Sequence, residues 1–128
     1  MKFEVACLLV ATAMLSGCGP KLSHIEDYSM AVGEIIEVPL SPIGREQTIK
    51  IAATSPGKPI KVHVYLAEHA EAANEAILFD KTTDHLLASE EGAEQVALHA
   101  TVPAGKEAIV RFQPAGPTSA EVHLEITN

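Results

Sequence analysis

Tryptophan is absent, and the two tyrosines and three phenylalanines bring the aromatic content to only 4%. This removes the flat aromatic faces on which sugar rings usually dock, leaving Tyr65 as the obvious exception. There are two cysteines, Cys7 and Cys18, both near the start. Everything after them has no disulfide to rely on and must be held by packing. Cations are few: 9 Lys and Arg stand against 17 Asp and Glu, for a net charge of −8. A chain this acidic is repelled by nucleic acid and by anionic lipid surfaces, so neither is an expected partner. The apolar stretch from Val5 to Leu15, broken only by Thr12, is about eleven residues, roughly half of a spanning helix. Neither a GxSxG nucleophile turn nor a glycine-rich phosphate loop is present. Ser89 and His85, four residues apart on an extended chain, are too distant to bond. The chain is therefore expected not to be an enzyme, and no small-molecule substrate is identified.

What is present begins at the N-terminus. Lys2, offset by Glu4, precedes the apolar stretch, and two small residues, Ser16 and Gly17, stand before Cys18. That length and order match a signal peptide rather than a membrane span. The run Leu15-Ser16-Gly17-Cys18 resembles the lipobox of bacterial lipoproteins. The resemblance implies that residues 1–17 are removed, that the Cys18 thiol takes a diacylglyceryl group, and that the new N-terminus is acylated. Each buried methylene contributes about 0.8 kcal/mol, so two or three chains on Cys18 would hold the protein to a membrane durably. Gly19 stands where the family's inner-membrane retention signal carries Asp, which favours the outer membrane of the cell envelope. Cleavage leaves about 110 residues, enough for one core and not for two.

Residues 18–27 read as the lipidated cysteine and a tether without periodicity, and residues 28–128 as one domain. Ser29 to Leu40 reads as a strand. Its adjacent Ile35 and Ile36 suggest a bulge or coverage on both faces, and Pro39 and Pro42 put its end at an edge or turn. Glu46 to Thr54 alternates, with Gln47, Ile49, Ile51 and Ala53 on one face. After the turn Ser55-Pro56-Gly57-Lys58-Pro59, residues Ile60, Val62, Val64 and Leu66 face inward, and Lys61, His63 and Tyr65 outward. These two segments form a hairpin or an intersheet corner. Glu68 to Leu78, rich in alanine and glutamate, reads as a short rim helix or helical loop, with Ile77, Leu78 and Phe79 plugging into the core. His85 to Ser89 reads as a strand and Glu90 to Ala93 as an acidic turn. Gln95 to Val102, Ala108 to Phe112 and Ala120 to Thr127 are further alternating strands. The whole predicts a mainly β fold, an antiparallel β-sandwich of about seven strands, preceded by the signal peptide.

Val62-His63-Val64-Tyr65-Leu66, Leu86-Leu87-Ala88-Ser89, Val102-Pro103-Ala104-Gly105 running into Ile109-Val110-Arg111-Phe112, and the terminal Val122 to Ile126 strand together resemble the jelly-roll-like pre-peptidase C-terminal domains of bacteria. The chain departs from that family at Glu107-Ala108, where an aromatic is usual, and lacks its Asp pairs. The resemblance implies a non-catalytic accessory.

Two clusters invite metal chemistry. His63, His99 and His123 fall on faces read as outward. On neighbouring strands their rings would converge on zinc or copper, with Glu121 or Glu125 as a fourth ligand. Asp80, Asp84, Glu90, Glu91 and Glu94 flank two expected loops and would offer oxygens to calcium, although an acidic rim also keeps edge strands from pairing. No cofactor is expected beyond the lipid on Cys18. The leading expectation is a lipid-anchored envelope lipoprotein, a structural or binding module for an envelope protein partner. A metal-binding lipoprotein and an inhibitor or immunity-type lipoprotein acting through residues 68–84 are the alternatives.

Overall fold

Alternation in β-branched residues leaves one stable solution, two sheets with their apolar faces together. The computed structural model describes residues 21–128, so the expected signal peptide and Cys18 lie outside the described residues. Eight strands follow in order: β1 (Ser23–Met30), β2 (Ile36–Leu40), β3 (Gln47–Thr54), β4 (Ile60–Leu66), β5 (Leu86–Ala93), β6 (Gln95–Val102), β7 (Ala108–Pro114) and β8 (Ala120–Thr127). Between β4 and β5 a 3-10 turn (Ala67–His69) leads into the helix α1 (Ala70–Leu78). One sheet is ordered β1-β8-β3-β6 and the other β2-β7-β4-β5, with every pairing antiparallel. The two orders match place by place, β1 with β2, β8 with β7, β3 with β4 and β6 with β5. Each matched pair is joined by a connection that crosses between the sheets.

The core lies between the sheets. Ile49, Ile51 and Ala53 of β3 and Val122, Leu124 and Ile126 of β8 meet Val38 and Leu40 of β2, Ile60, Val62 and Val64 of β4, and Val110 and Phe112 of β7. Each large apolar side chain buried in this way contributes about 1.5–3 kcal/mol. The expected antiparallel sandwich is the architecture found, and β3 and β4, offered as a hairpin or a corner, form the corner.

Four local readings are corrected. Residues 23–27, assigned to the tether, belong to β1, which pairs along its whole length with β8. Half-buried His24 and Tyr28 and buried Met30 point inward there, and the Tyr28 ring stands edge-on to Phe112 at 5.1 Å. Ser29 to Leu40 is not one strand, because the chain turns at Gly33 (φ 79°) and passes to the other sheet. The Glu34 N–H donates to the Ala31 carbonyl at 3.0 Å, and the Glu34 carboxylate accepts from the Ala31 N–H at 2.9 Å. Glu90 to Ala93, read as a turn, continues β5. Its register against β4 shifts between Ile60 and Lys61, near Gly92 (φ 84°). Such a bulge bends the strand, and Glu94 alone separates β5 from β6 in the opposite sheet.

The fourth correction concerns the helix. Its alanines Ala73 and Ala76 are buried, while Leu78 and Phe79, expected in the core, are 72% and 60% exposed. Alanine brings the helix backbone close against β4, and the larger residues fall where the helix ends and nothing covers them.

Candidate functional site

The face of β2-β7-β4-β5 that points away from the core is polar, with Arg111, His63 and Tyr65 buried at its middle and Glu37, Ser89 and Glu91 exposed at its edges. Register places Glu37, Arg111, His63 and Ser89 side by side in one row across its four strands. Tyr65 stands two residues along β4 from His63, and Asn74 of α1 closes over the row. The Tyr65 hydroxyl donates to Glu37 Oε2 at 2.8 Å, with Asn74 Oδ1 at 3.1 Å. Arg111 donates through Nη1 to Asn74 Oδ1 and through Nη2 to Gln113 Oε1 at 3.1 Å. His63 Nε2 and Glu91 Oε2 lie 2.9 Å apart. Asn74 thus ties the helix to β7 through Arg111, while its Oδ1 is the longer of two alternative acceptors for the single Tyr65 hydroxyl proton.

Burial sets the protonation of this network. The Tyr65 phenol is pushed up to about 12, first by desolvation and then by its bond to the Glu37 carboxylate. His63, only 1% exposed, is held below its ordinary value by desolvation, which outweighs the opposing pull of Glu91. The geometry agrees, since His63 Nδ1 is buried without a hydrogen-bond partner. A bare nitrogen lone pair is tolerable there, whereas an N–H would not be. His63 is therefore a neutral ring donating from Nε2 to Glu91, and the contact is a hydrogen bond rather than an ion pair. Arg111 Nε is likewise buried and unpartnered.

Beside α1 the row opens into a cleft of about 360 Å³ lined by Ile35, Glu37, Asn74, Leu78 and Arg111. Ile35, Leu78 and Phe79 are exposed large apolar side chains, and the Lys81 ammonium stands 5.6 Å from the Phe79 ring centre. The lining offers a carboxylate, an amide and a guanidinium between two aliphatic walls. It carries no hydroxyl, thiol or amine nucleophile. The arrangement is suited to holding a mixed polar and apolar surface.

No family model matches the chain, and no curated protein matches it. Solved structures similar in fold include the following two. The Yersinia pseudotuberculosis-derived mitogen superposes with a TM-score of 0.56 at 5% identity, covering 84% of this chain and 86% of that one. The pre-peptidase C-terminal domain of a Bacillus anthracis collagenase superposes with a TM-score of 0.55 at 9% identity, covering 82% and 89%. The likeness to pre-peptidase C-terminal domains is thus one of fold.

The three histidines are not brought together. His63 lies on β4 in one sheet, whereas His99 on β6 and His123 on β8 lie in the other, with β3 between them. The outer faces of two stacked sheets point in opposite directions, so outward placement on both separates the rings. His99 stands opposite Lys50. His123 is bracketed by Asp27 Oδ1 on Nδ1 at 2.6 Å and Glu125 Oε2 on Nε2 at 2.9 Å. Its pKa is raised, by Asp27 first and then by Glu125. The acidic rim does not converge either: Asp80 and Asp84 lie in the loop before β5, while Glu90 and Glu91 are successive residues of that strand and point to opposite faces. Glu91 is taken by His63, and Glu94 Oε1 accepts from the Gly57 N–H at 2.9 Å. Among the described residues no group of three or more His, Cys, Asp or Glu is placed to hold a metal ion. Glu37, Asn74 and Arg111 were missed from sequence. The available signal was the spacing of Ala73 and Ala76, one turn apart on a helix following a strand whose outward residues include His63 and Tyr65.

Proposed function

We propose that this chain is a lipid-anchored lipoprotein of the bacterial envelope whose sandwich is a non-catalytic binding module, docking an envelope protein through the cleft between Ile35 and Leu78. The anchor rests on the Leu15-Ser16-Gly17-Cys18 pattern. The binding reading is carried by one observation: exposed Ile35 and Leu78 line a cleft together with Glu37, Asn74 and Arg111. Apolar side chains grouped around a few polar groups are the composition of a protein interface core.

The test purifies the full-length protein in mild detergent from its own cells, beside Cys18→Ala and Leu78→Asp variants. Wild type is expected to carry acyl mass on Cys18 and a companion protein in near-equal amount. Leu78→Asp should retain that companion about tenfold more weakly, the loss of a good interface residue. An unmodified Cys18 thiol overturns the anchor, and equal retention by Leu78→Asp overturns the docking site. Turnover of an envelope substrate that His63→Ala abolishes would overturn the non-catalytic reading.

A further inference from the structure

The two sheets present four edge strands, β1, β6, β2 and β5, and three of them carry recognised protections against pairing with another chain. β1 has Glu26 and Asp27 at its middle, both exposed. β2 is five residues long and contains Glu37 and Pro39. β5 contains Glu90, Glu91 and Gly92, and its ladder with β4 is broken by two register shifts. Charge, proline, short length and bulges are the devices that keep an edge from extending its sheet.

β6 has none of these. Its eight residues, QVALHATV, include no Asp, Glu, Lys, Arg, Pro or Gly, and all eight pair with β3 in unbroken register. Gln95, Ala97, His99 and Thr101 are exposed on its outer side, while Leu98 on the inner side is only half-buried beside the core. The strand therefore offers a straight row of backbone groups together with an incompletely covered apolar residue.

We infer that β6 is an interaction surface for a second copy of this chain, the two β6 strands pairing antiparallel across a two-fold axis to make one eight-stranded sheet. A second copy presents the same bare edge, and charge opposes its approach least at this strand. A basic partner would be drawn to the acidic surfaces that give the chain its net charge of −8, and two copies meeting through those surfaces would repel. The neutral edge, with Lys50 opposite His99 on the neighbouring strand, is where two acidic molecules approach most cheaply. Antiparallel pairing of a strand with itself is self-complementary, as an isologous contact requires. It keeps outer residues against outer and inner against inner, whether His99 or Leu98 sits on the axis. Either register covers the exposed flank of Leu98. This surface is independent of the Ile35–Leu78 cleft, which lies on the other sheet.

Sedimentation equilibrium of the full-length protein in density-matched detergent tests the inference. Wild type is expected at twice the monomer mass, dissociating on dilution. The double variant Ala97→Lys with His99→Lys sets like charges across the axis and should raise the dissociation constant about tenfold or more. Ile25→Lys, on the edge of β1, should leave it unchanged. Amide exchange in wild type should slow with rising concentration within residues 95–102. A monomer throughout the range overturns the inference, as does a dimer that the double variant leaves intact or that Ile25→Lys disrupts. If the double variant fails to fold, the exchange measurement decides alone: protection independent of concentration, or appearing only when a different protein is added, also overturns it.

Discussion

At the scale of single residues, His63 makes the fold sensitive to acid. Its folded pKa lies below the ordinary 6.5, so as pH falls through 6.5 the unfolded chain takes up a proton that the folded chain refuses. Stability is lost in that window, down to the folded pKa. His123 has the opposite sign. Its pKa is raised above 6.5 by Asp27 and Glu125, so its contribution is present below 6.5 and lost as pH rises through the folded value. A wild-type melting curve mixes the two. Both wild type and His63→Gln carry His123, so their difference isolates His63. Between pH 7 and pH 5 the melting temperature of wild type is expected to fall further than that of His63→Gln, and parallel curves would remove His63 as the cause. Asn74 matters differently, because its Oδ1 accepts from Arg111 and lies within reach of the Tyr65 hydroxyl. Asn74→Ala orphans a buried guanidinium hydrogen and should cost about 1–3 kcal/mol, read as a lower urea midpoint at unchanged slope.

Among the elements, α1 holds by closeness rather than by apolar bulk. Ala76→Leu is expected to lift it from β4 and to destabilise the protein by about 1–3 kcal/mol. Leu78→Ala, on the exposed end, should stay within about 0.5 kcal/mol. The reverse order by chemical denaturation would mean that the helix packs through its larger residues. How far each element could be read from sequence follows from what covers it. β8 was legible to the residue and β3 to within one, because each has water on one side and core on the other, which writes a period of two. β4 was legible only on its inner face: Lys61, His63 and Tyr65 are what a solvated face would carry, yet the helix that follows β4 sets Asn74 against Tyr65, and His63 is buried between Arg111 and Ser89 of the neighbouring strands. β1 was lost because Glu26 and Asp27 occupy its middle and only Met30 is fully buried. The polar row was invisible for the same reason as the outer face of β4, since Glu37, His63 and Arg111 come from three strands that only the sheet order makes neighbours.

For the molecule as a whole, the two ends of the described chain meet. The Leu22 N–H donates to Asn128 Oδ1 at 2.9 Å, and Asn128 Nδ2 donates to Gln47 Oε1 at 2.9 Å. The folding unit therefore begins before residue 28. A chain starting at Tyr28 loses the β8 partners of Ser23, His24, Ile25, Glu26 and Asp27 and leaves β8 bare along that length. Such a chain is expected to melt lower or to aggregate, whereas one starting at Lys21 should match the full-length domain by circular dichroism. Equal melting of the two would make β1 dispensable. The ladder between β1 and β8 also fixes how the domain meets mechanical load. β1 runs about 25 Å from Ser23 to the turn that carries the chain to Ile35 and the cleft. Its hydrogen bonds lie across the strand, so under the proposed anchor and cleft partner, tension between the two would pull β1 lengthwise and strain its rungs together. Under that proposal the ladder would be loaded in shear, the direction in which a β ladder tears last.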